Sequence, residues 1–86
     1  MTSSTKKSFR SRLRALPPEI RKLARKNFKL WLRAPHHPSI HFKKVGSYWS
    51  ARVGSDHRAL AIVTGERVEW FWIGAHDEYE RIIGGK

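Results

Sequence analysis

The sequence predicts an α+β domain, with one or two N-terminal helices packed on an antiparallel sheet of three to four strands. Three observations predict it. An apolar stripe at helical spacing runs from Ile20 to Trp31. Beyond Ser39 the hydrophobic period drops from about 3.6 to 2. Every later connection is short enough to permit only a hairpin, which makes the strands an antiparallel meander.

The helix is the best-defined element. "LPPEI" supplies a Pro for its first turn and Glu19 for the positive end of its dipole. Ile20, Leu23, Ala24, Asn27, Phe28 and Trp31 then recur on one face, with only Asn27 polar, while Arg21, Lys22, Arg25, Lys26, Lys29 and Arg33 occupy the rest. "RAPHHPS" ends it, because Pro35 keeps Ala34 out of helical geometry and Pro38 prevents recovery. Upstream, residues 1–7 are polar, small or basic and read as a loose end. Phe9, Leu13 and Leu16 suggest a short strand into Phe9 followed by a short helix.

The strands follow in order. Ile40 and Phe42 alternate with His41 and Lys43, which predicts a strand with one wet face. Gly46-Ser47 turns into "YWSARV", with Trp49, Ala51 and Val53 on one face and Tyr48, Ser50 and Arg52 on the other. "GSD" turns into "HRALAIV", and "TGE" into "RVEWFWIG". The last strand is apolar on both faces at Phe71, Trp72 and Ile73, so a central position is expected.

Composition bounds the function. Eighty-six residues make one domain, 1–86, that buries about 60–65 % of its unfolded surface. Without cysteine there is no disulfide framework and no thiolate zinc site. No stretch approaches the roughly 20 apolar residues of a membrane span, and the opening residues lack an apolar core for secretion, so a cytoplasmic location without membrane contact is expected. The net charge is +11, and it is uneven: 13 basic residues and one acid precede Val45, against five and six from there on. A half so basic attracts a polyanion, nucleic acid above all, or a strongly acidic protein.

Several stretches could carry chemistry. His36, His37 and His41 match no metal-ligand spacing and read as loop positions or RNA contacts, so no metal or other cofactor is expected. Lys43 and Lys44 point to opposite faces of one strand; alone they are a solvated edge. Arg52 and Arg58 flank the "GSD" turn on neighbouring strands, where two guanidinium groups on one face can grip a phosphate. His76, Asp77, Glu78 and Tyr79 emerge directly after the aromatic strand. That run is either a site or a turn into a short C-terminal helix, with Asp77 as N-cap and Glu80 closing a capping box.

"HPSIHFKKV", "HRAL" and "WFWIGAHDEY", in this order and spacing, make the chain from about Phe9 to Ile83 resemble the RelE/ParE toxins of bacterial type II toxin–antitoxin systems. The resemblance is strongest to the branch with a tryptophan-rich last strand followed by Gly-x-His-Asp-x-Tyr. It implies one of two activities. RelE-like members cleave mRNA in the ribosomal A site, leaving a 2′,3′-cyclic phosphate and a 5′-hydroxyl, whereas ParE-like members poison DNA gyrase and cleave nothing. Either would be held inactive by an acidic antitoxin in a hetero-oligomer. A basic nucleic-acid-binding module without toxicity is the reading that stands without the family.

For cleavage, the resemblance places Arg58 on the phosphate, with Lys43 and Lys44 beside it, His76 as the acid and Tyr79 as an aromatic partner. Arg52, His41, Lys22, Lys26 and Lys29 are the expected RNA contacts. Histidine is also the side-chain type best suited to proton transfer near neutrality. The strand around Ile40 to Val45 offers no carboxylate to act as base, and His41 is the sole candidate there.

Overall fold

The computed structural model describes residues 2–84. Its elements are β1 (Thr2–Thr5), α1 (Lys7–Arg14), α2 (Pro18–Arg33), β2 (Lys43–Val45), β3 (Tyr48–Val53), β4 (His57–Thr64), β5 (Arg67–Ala75) and α3 (His76–Gly84). The five strands form one sheet in the order β1-β5-β4-β3-β2. The expected meander accounts for β2 to β5, which pair antiparallel, and β5 is interior as its two apolar faces require.

The fifth strand lies where the sequence reads as a loose end. Thr2–Thr5 pairs parallel with Arg67–Trp70. The backbone N–H of Thr2 donates to the Glu66 carbonyl at 2.8 Å, and that of Lys6 to the Trp70 carbonyl at 2.8 Å. Ladder bonds need no apolar side chains, so a Ser/Thr segment at a sheet edge carries little sequence signal. Met1 lies outside the described residues. Phe9, expected at the end of a strand, instead lies within α1.

Where β1 stops, α1 covers the remaining edge of β5. Ser8 Oγ donates to the Phe71 carbonyl at 2.8 Å, and one turn later Arg12 Nε donates to the Ile73 carbonyl at 3.0 Å. Residues four apart on a helix thus satisfy carbonyls two apart on a strand, closing an edge that would otherwise invite another chain.

Pro18 stands in the first turn of α2 with Glu19, and Ala34 leaves helical geometry at φ −145° before Pro35. Its apolar stripe lies on one sheet face, where Trp31 meets Trp70 edge-on at 5.3 Å and Phe42 at 5.5 Å. Ala24, Ile40, Ala51, Val53, Ala59, Val68 and Ile73 complete this core. Trp31 is 3 % exposed, and truncating such a side chain costs ~3–5 kcal/mol, a large part of the ~4–13 kcal/mol total of a chain this long. Asn27, the polar break in the stripe, donates to the Arg52 carbonyl at 3.2 Å and so ties α2 to the end of β3.

The strand expected from Ile40 begins only at Lys43. His41 has φ 52°, a left-handed conformation that no strand tolerates. Ile40 keeps part of the role, since it is buried and its carbonyl accepts from Arg52 N–H at 2.7 Å. On β5, a register shift between Leu60 and Ala61 leaves Phe71 as an extra residue, opposite neither. The bulge lets Phe71 and Trp72 both pack on the second face with Leu60 and Tyr79, while Trp70 and Ile73 stay in the first core.

Candidate functional site

The second sheet face is only partly covered. From Ala75 the chain turns directly into α3, with the His76 N–H donating to the Asp56 carbonyl at 2.8 Å. Tyr79 is buried with Leu60 and Trp72, and Ile83 packs beside them. Beyond this contact, α3 and the ends of β2, β3 and β4 enclose an open pocket of about 260 Å³. Its strand side carries Lys43, Ser50, Arg52 and Arg58; its helix side carries His76, Tyr79 and Glu80, and His41, from the segment before β2, also lines it.

Register explains the convergence. Arg52 stands directly opposite Arg58, and Lys43 opposite Ser50, so three cations share one face over three strands. Like charges directly opposite each other destabilise an antiparallel pair. Among the described residues neither arginine forms an ion pair. Among the described residues each guanidinium makes one internal hydrogen bond, Arg52 Nε to the Gly54 carbonyl at 3.1 Å and Arg58 Nη1 to the His57 carbonyl at 2.9 Å, which leaves further donors to face an anion. Arg58 is half-buried, with its guanidinium 5.8 Å from the Tyr79 ring centre.

The helix side carries an imidazole, a phenol and a carboxylate. His76 lies with its ring centre 5.7 Å from that of Tyr79, and its Nε2 is 3.8 Å from Glu80 Oε2. Tyr79 itself is 6 % exposed, and its hydroxyl donates to the buried Ser50 Oγ at 3.3 Å. A side chain so enclosed packs the helix onto the sheet and offers no free face to a nucleobase. Among the described residues no three His, Asp or Glu side chains converge as a metal would require.

No family model and no curated protein matches the chain. Solved structures do. A YoeB/ParE toxin from Agrobacterium tumefaciens is similar at 19 % identity over 88 % of this chain and 99 % of that one, with a TM-score of 0.66. The RelBE2 toxin–antitoxin complex of Mycobacterium tuberculosis contains a chain similar at 22 % identity, covering 87 % and 96 %, with a TM-score of 0.68. A chain of the RelB–RelE antitoxin–toxin complex of Methanococcus jannaschii reaches 0.71 at 18 % identity, covering 91 % and 95 %. The chain has the RelE/ParE fold.

Within this RelE/ParE fold the residues singled out from sequence separate into two groups. Arg58, His76, Lys43, Arg52, His41 and Tyr79 line one pocket. Lys44 is exposed and does not line it, as the alternation of β2 requires. Lys22, Lys26 and Lys29 are exposed on α2, across the sheet from the pocket, so they form a separate basic surface. His37 accepts from the Ser39 N–H at 3.2 Å and serves the loop.

The capping-box expectation fails. α3 begins at His76, so Asp77 and Glu78 lie inside its first turn, where they favour the helix dipole without acting as caps. Glu78 pairs with Arg12 at 3.2 Å, and Glu80 faces His76. Ser50 and Glu80 are the pocket groups that sequence reasoning missed. Glu80 had a signal, since it stands four residues after His76 on a foreseeable helix and therefore shares its face.

Proposed function

We propose that the chain is the toxin of a type II toxin–antitoxin pair and that it cleaves mRNA at the ribosome. The observation that carries this reading is the convergence of Arg52, Arg58 and Lys43 with His76 in one open pocket. Cleavage of RNA without metal requires attack of a ribose 2′-hydroxyl on the adjacent phosphorus. Charge then accumulates on the phosphate oxygens, and the 5′-oxygen leaves as it gains a proton. Arg58 and Arg52 hold the phosphate oxygens, with Lys43 adding a third charge from β2. His76, as imidazolium, gives its proton to the departing 5′-oxygen. The products are a 2′,3′-cyclic phosphate and a 5′-hydroxyl.

An acidic antitoxin is the expected partner. Two of the similar solved structures are antitoxin–toxin complexes. The basic first half of this chain would attract an acidic protein as it attracts RNA.

Cell-free translation of a defined mRNA, with primer extension to map cuts, tests the reading. Cuts that need ribosomes and disappear with Arg58→Ala and His76→Ala are the expected result. Intact mRNA beside folded protein that still arrests growth overturns it and points to gyrase.

A further inference from the structure

The cleavage just proposed lacks a group to accept the 2′-hydroxyl proton, and we infer that Glu80 supplies it. This rests on the nuclease reading of the same pocket. Among the described residues Glu80 is the sole carboxylate that lines the pocket, in a wall otherwise formed by basic, aromatic, hydroxyl and aliphatic side chains. It is 66 % exposed at its side chain, so substrate can reach it.

Its placement suits the reaction. In-line displacement puts the entering 2′-oxygen and the leaving 5′-oxygen on opposite sides of phosphorus, so acid and base must flank the phosphate. His76 and Glu80 are four residues apart on α3, so their backbones are separated by about 6 Å along the helix axis. That spacing lets the two side chains diverge around a phosphate held by Arg52 and Arg58. Their tips are 3.8 Å apart, too long for a tight hydrogen bond that substrate would have to break.

The step balances. Glu80 takes the proton as the 2′-oxygen–phosphorus bond forms; the phosphorus–5′-oxygen bond breaks, and His76 protonates the 5′-oxygen. Afterwards the carboxylic acid and the neutral imidazole close on each other again, and the proton returns from Glu80 to His76. The charged and titratable groups that line the pocket with Glu80 are His76 and Tyr79 on its own helix, Lys43 from β2, Arg52 from β3, Arg58 from β4, and His41 before β2.

Glu80→Gln keeps the side-chain shape and removes the proton acceptor, while Glu80→Asp keeps the acceptor on a shorter stem. In the ribosome-dependent cleavage assay, with folding checked by thermal unfolding, Glu80→Gln should lower the cleavage rate on the order of 10²–10⁴-fold at unchanged ribosome binding. It should also abolish the rise of rate with pH on the acid side of the profile. Glu80→Asp should recover part of the rate and that limb. Asp77→Asn, one turn away and outside the pocket, should cleave like the native protein. Native-like cleavage by Glu80→Gln overturns this inference alone, as does a folded Glu80→Asp no better than Glu80→Gln. A native protein that cuts no mRNA overturns the nuclease reading, and the inference with it.

Discussion

Tyr79→Phe separates packing from chemistry at the one residue where they compete. The tyrosine is 6 % exposed, and its hydroxyl donates to Ser50 Oγ, itself in a residue only 2 % exposed. Removing the hydroxyl leaves the ring packed on Leu60 and Trp72 and keeps Arg58 over its face. Only the hydroxyl–hydroxyl bond is lost. At 3.3 Å it is long for an O–H···O bond, which puts its intrinsic worth near the low end of ~0.5–1.5 kcal/mol. Leaving the buried Ser50 oxygen without its donor adds to that, so the net cost is about 1 kcal/mol. In a domain this small that lowers the unfolding midpoint by roughly 4–8 °C. Thermal unfolding by circular dichroism reads the shift, and primer extension after cell-free translation reads the cleavage, expected within a few-fold of native. An unchanged midpoint with cleavage reduced a hundredfold would refute the reasoning and make the hydroxyl a chemical group. Tyr79→Ala cannot decide this, because losing ~3–5 kcal/mol of aromatic packing threatens the fold itself.

Other consequences follow from the same geometry. Gly54 has φ +65°, and a Cβ there would lie 2.7 Å from Leu23 Cδ2, the movable end of a side chain, so Gly54→Ala should cost about 1–2 kcal/mol, chiefly from the backbone, read as a lower urea midpoint at unchanged slope. Arg12→Ala removes the bond to the Ile73 carbonyl, the 5.1 Å stacking over Trp72 and the Glu78 pair, and should cost about 1–2 kcal/mol in the same measurement. Glu78→Gln should cost under ~0.5 kcal/mol, because that pair is exposed. With Arg52, Arg58 and Lys43 gathered on one phosphate, fluorescence anisotropy of a short single-stranded RNA should show pocket binding that weakens with a log–log salt slope of about −0.7. Arg52→Ala should weaken that binding; no change would move the contact to α2.

What the sequence made legible depended on whether side chains or backbone carried the signal. The stripe from Ile20 to Trp31 marks α2 because its burial requires that spacing; Asn27 stood out only as its polar interruption, and the structure supplies the reason in its bond to the Arg52 carbonyl. β1 was illegible for the opposite reason: its four residues are held by ladder bonds to β5, to which side-chain pattern is nearly irrelevant. His41 broke an alternation that was real in the sequence, since Ile40 and Phe42 are both inward while the backbone between them is left-handed. Within the pocket, the pairing of Arg52 with Arg58 follows directly from a three-residue turn. Ser50 shares the face of Arg52 and Glu80 that of His76, but the meeting of those two faces required α3 to be folded back over the sheet, a tertiary fact that no local pattern records.

The two basic surfaces differ in kind, and that difference bears on which one recognises an anion specifically. On α2 the lysines project into water from a helix whose apolar side is buried, so each is independently solvated and costs the fold little. In the pocket Arg52 and Arg58 are fixed opposite each other by strand register, with Lys43 on the neighbouring strand and no acid paired to either arginine among the described residues. Such an arrangement sets like charges against each other, and a bound phosphate relieves that repulsion. Anion binding should therefore raise the stability of the whole domain, since a ligand that binds only the folded state shifts the unfolding equilibrium by mass action. The α2 surface, with no comparable repulsion to release, is suited to long-range attraction of a large polyanion. The pocket is suited to holding one phosphate in a defined place, which is what cleavage of a chosen bond requires.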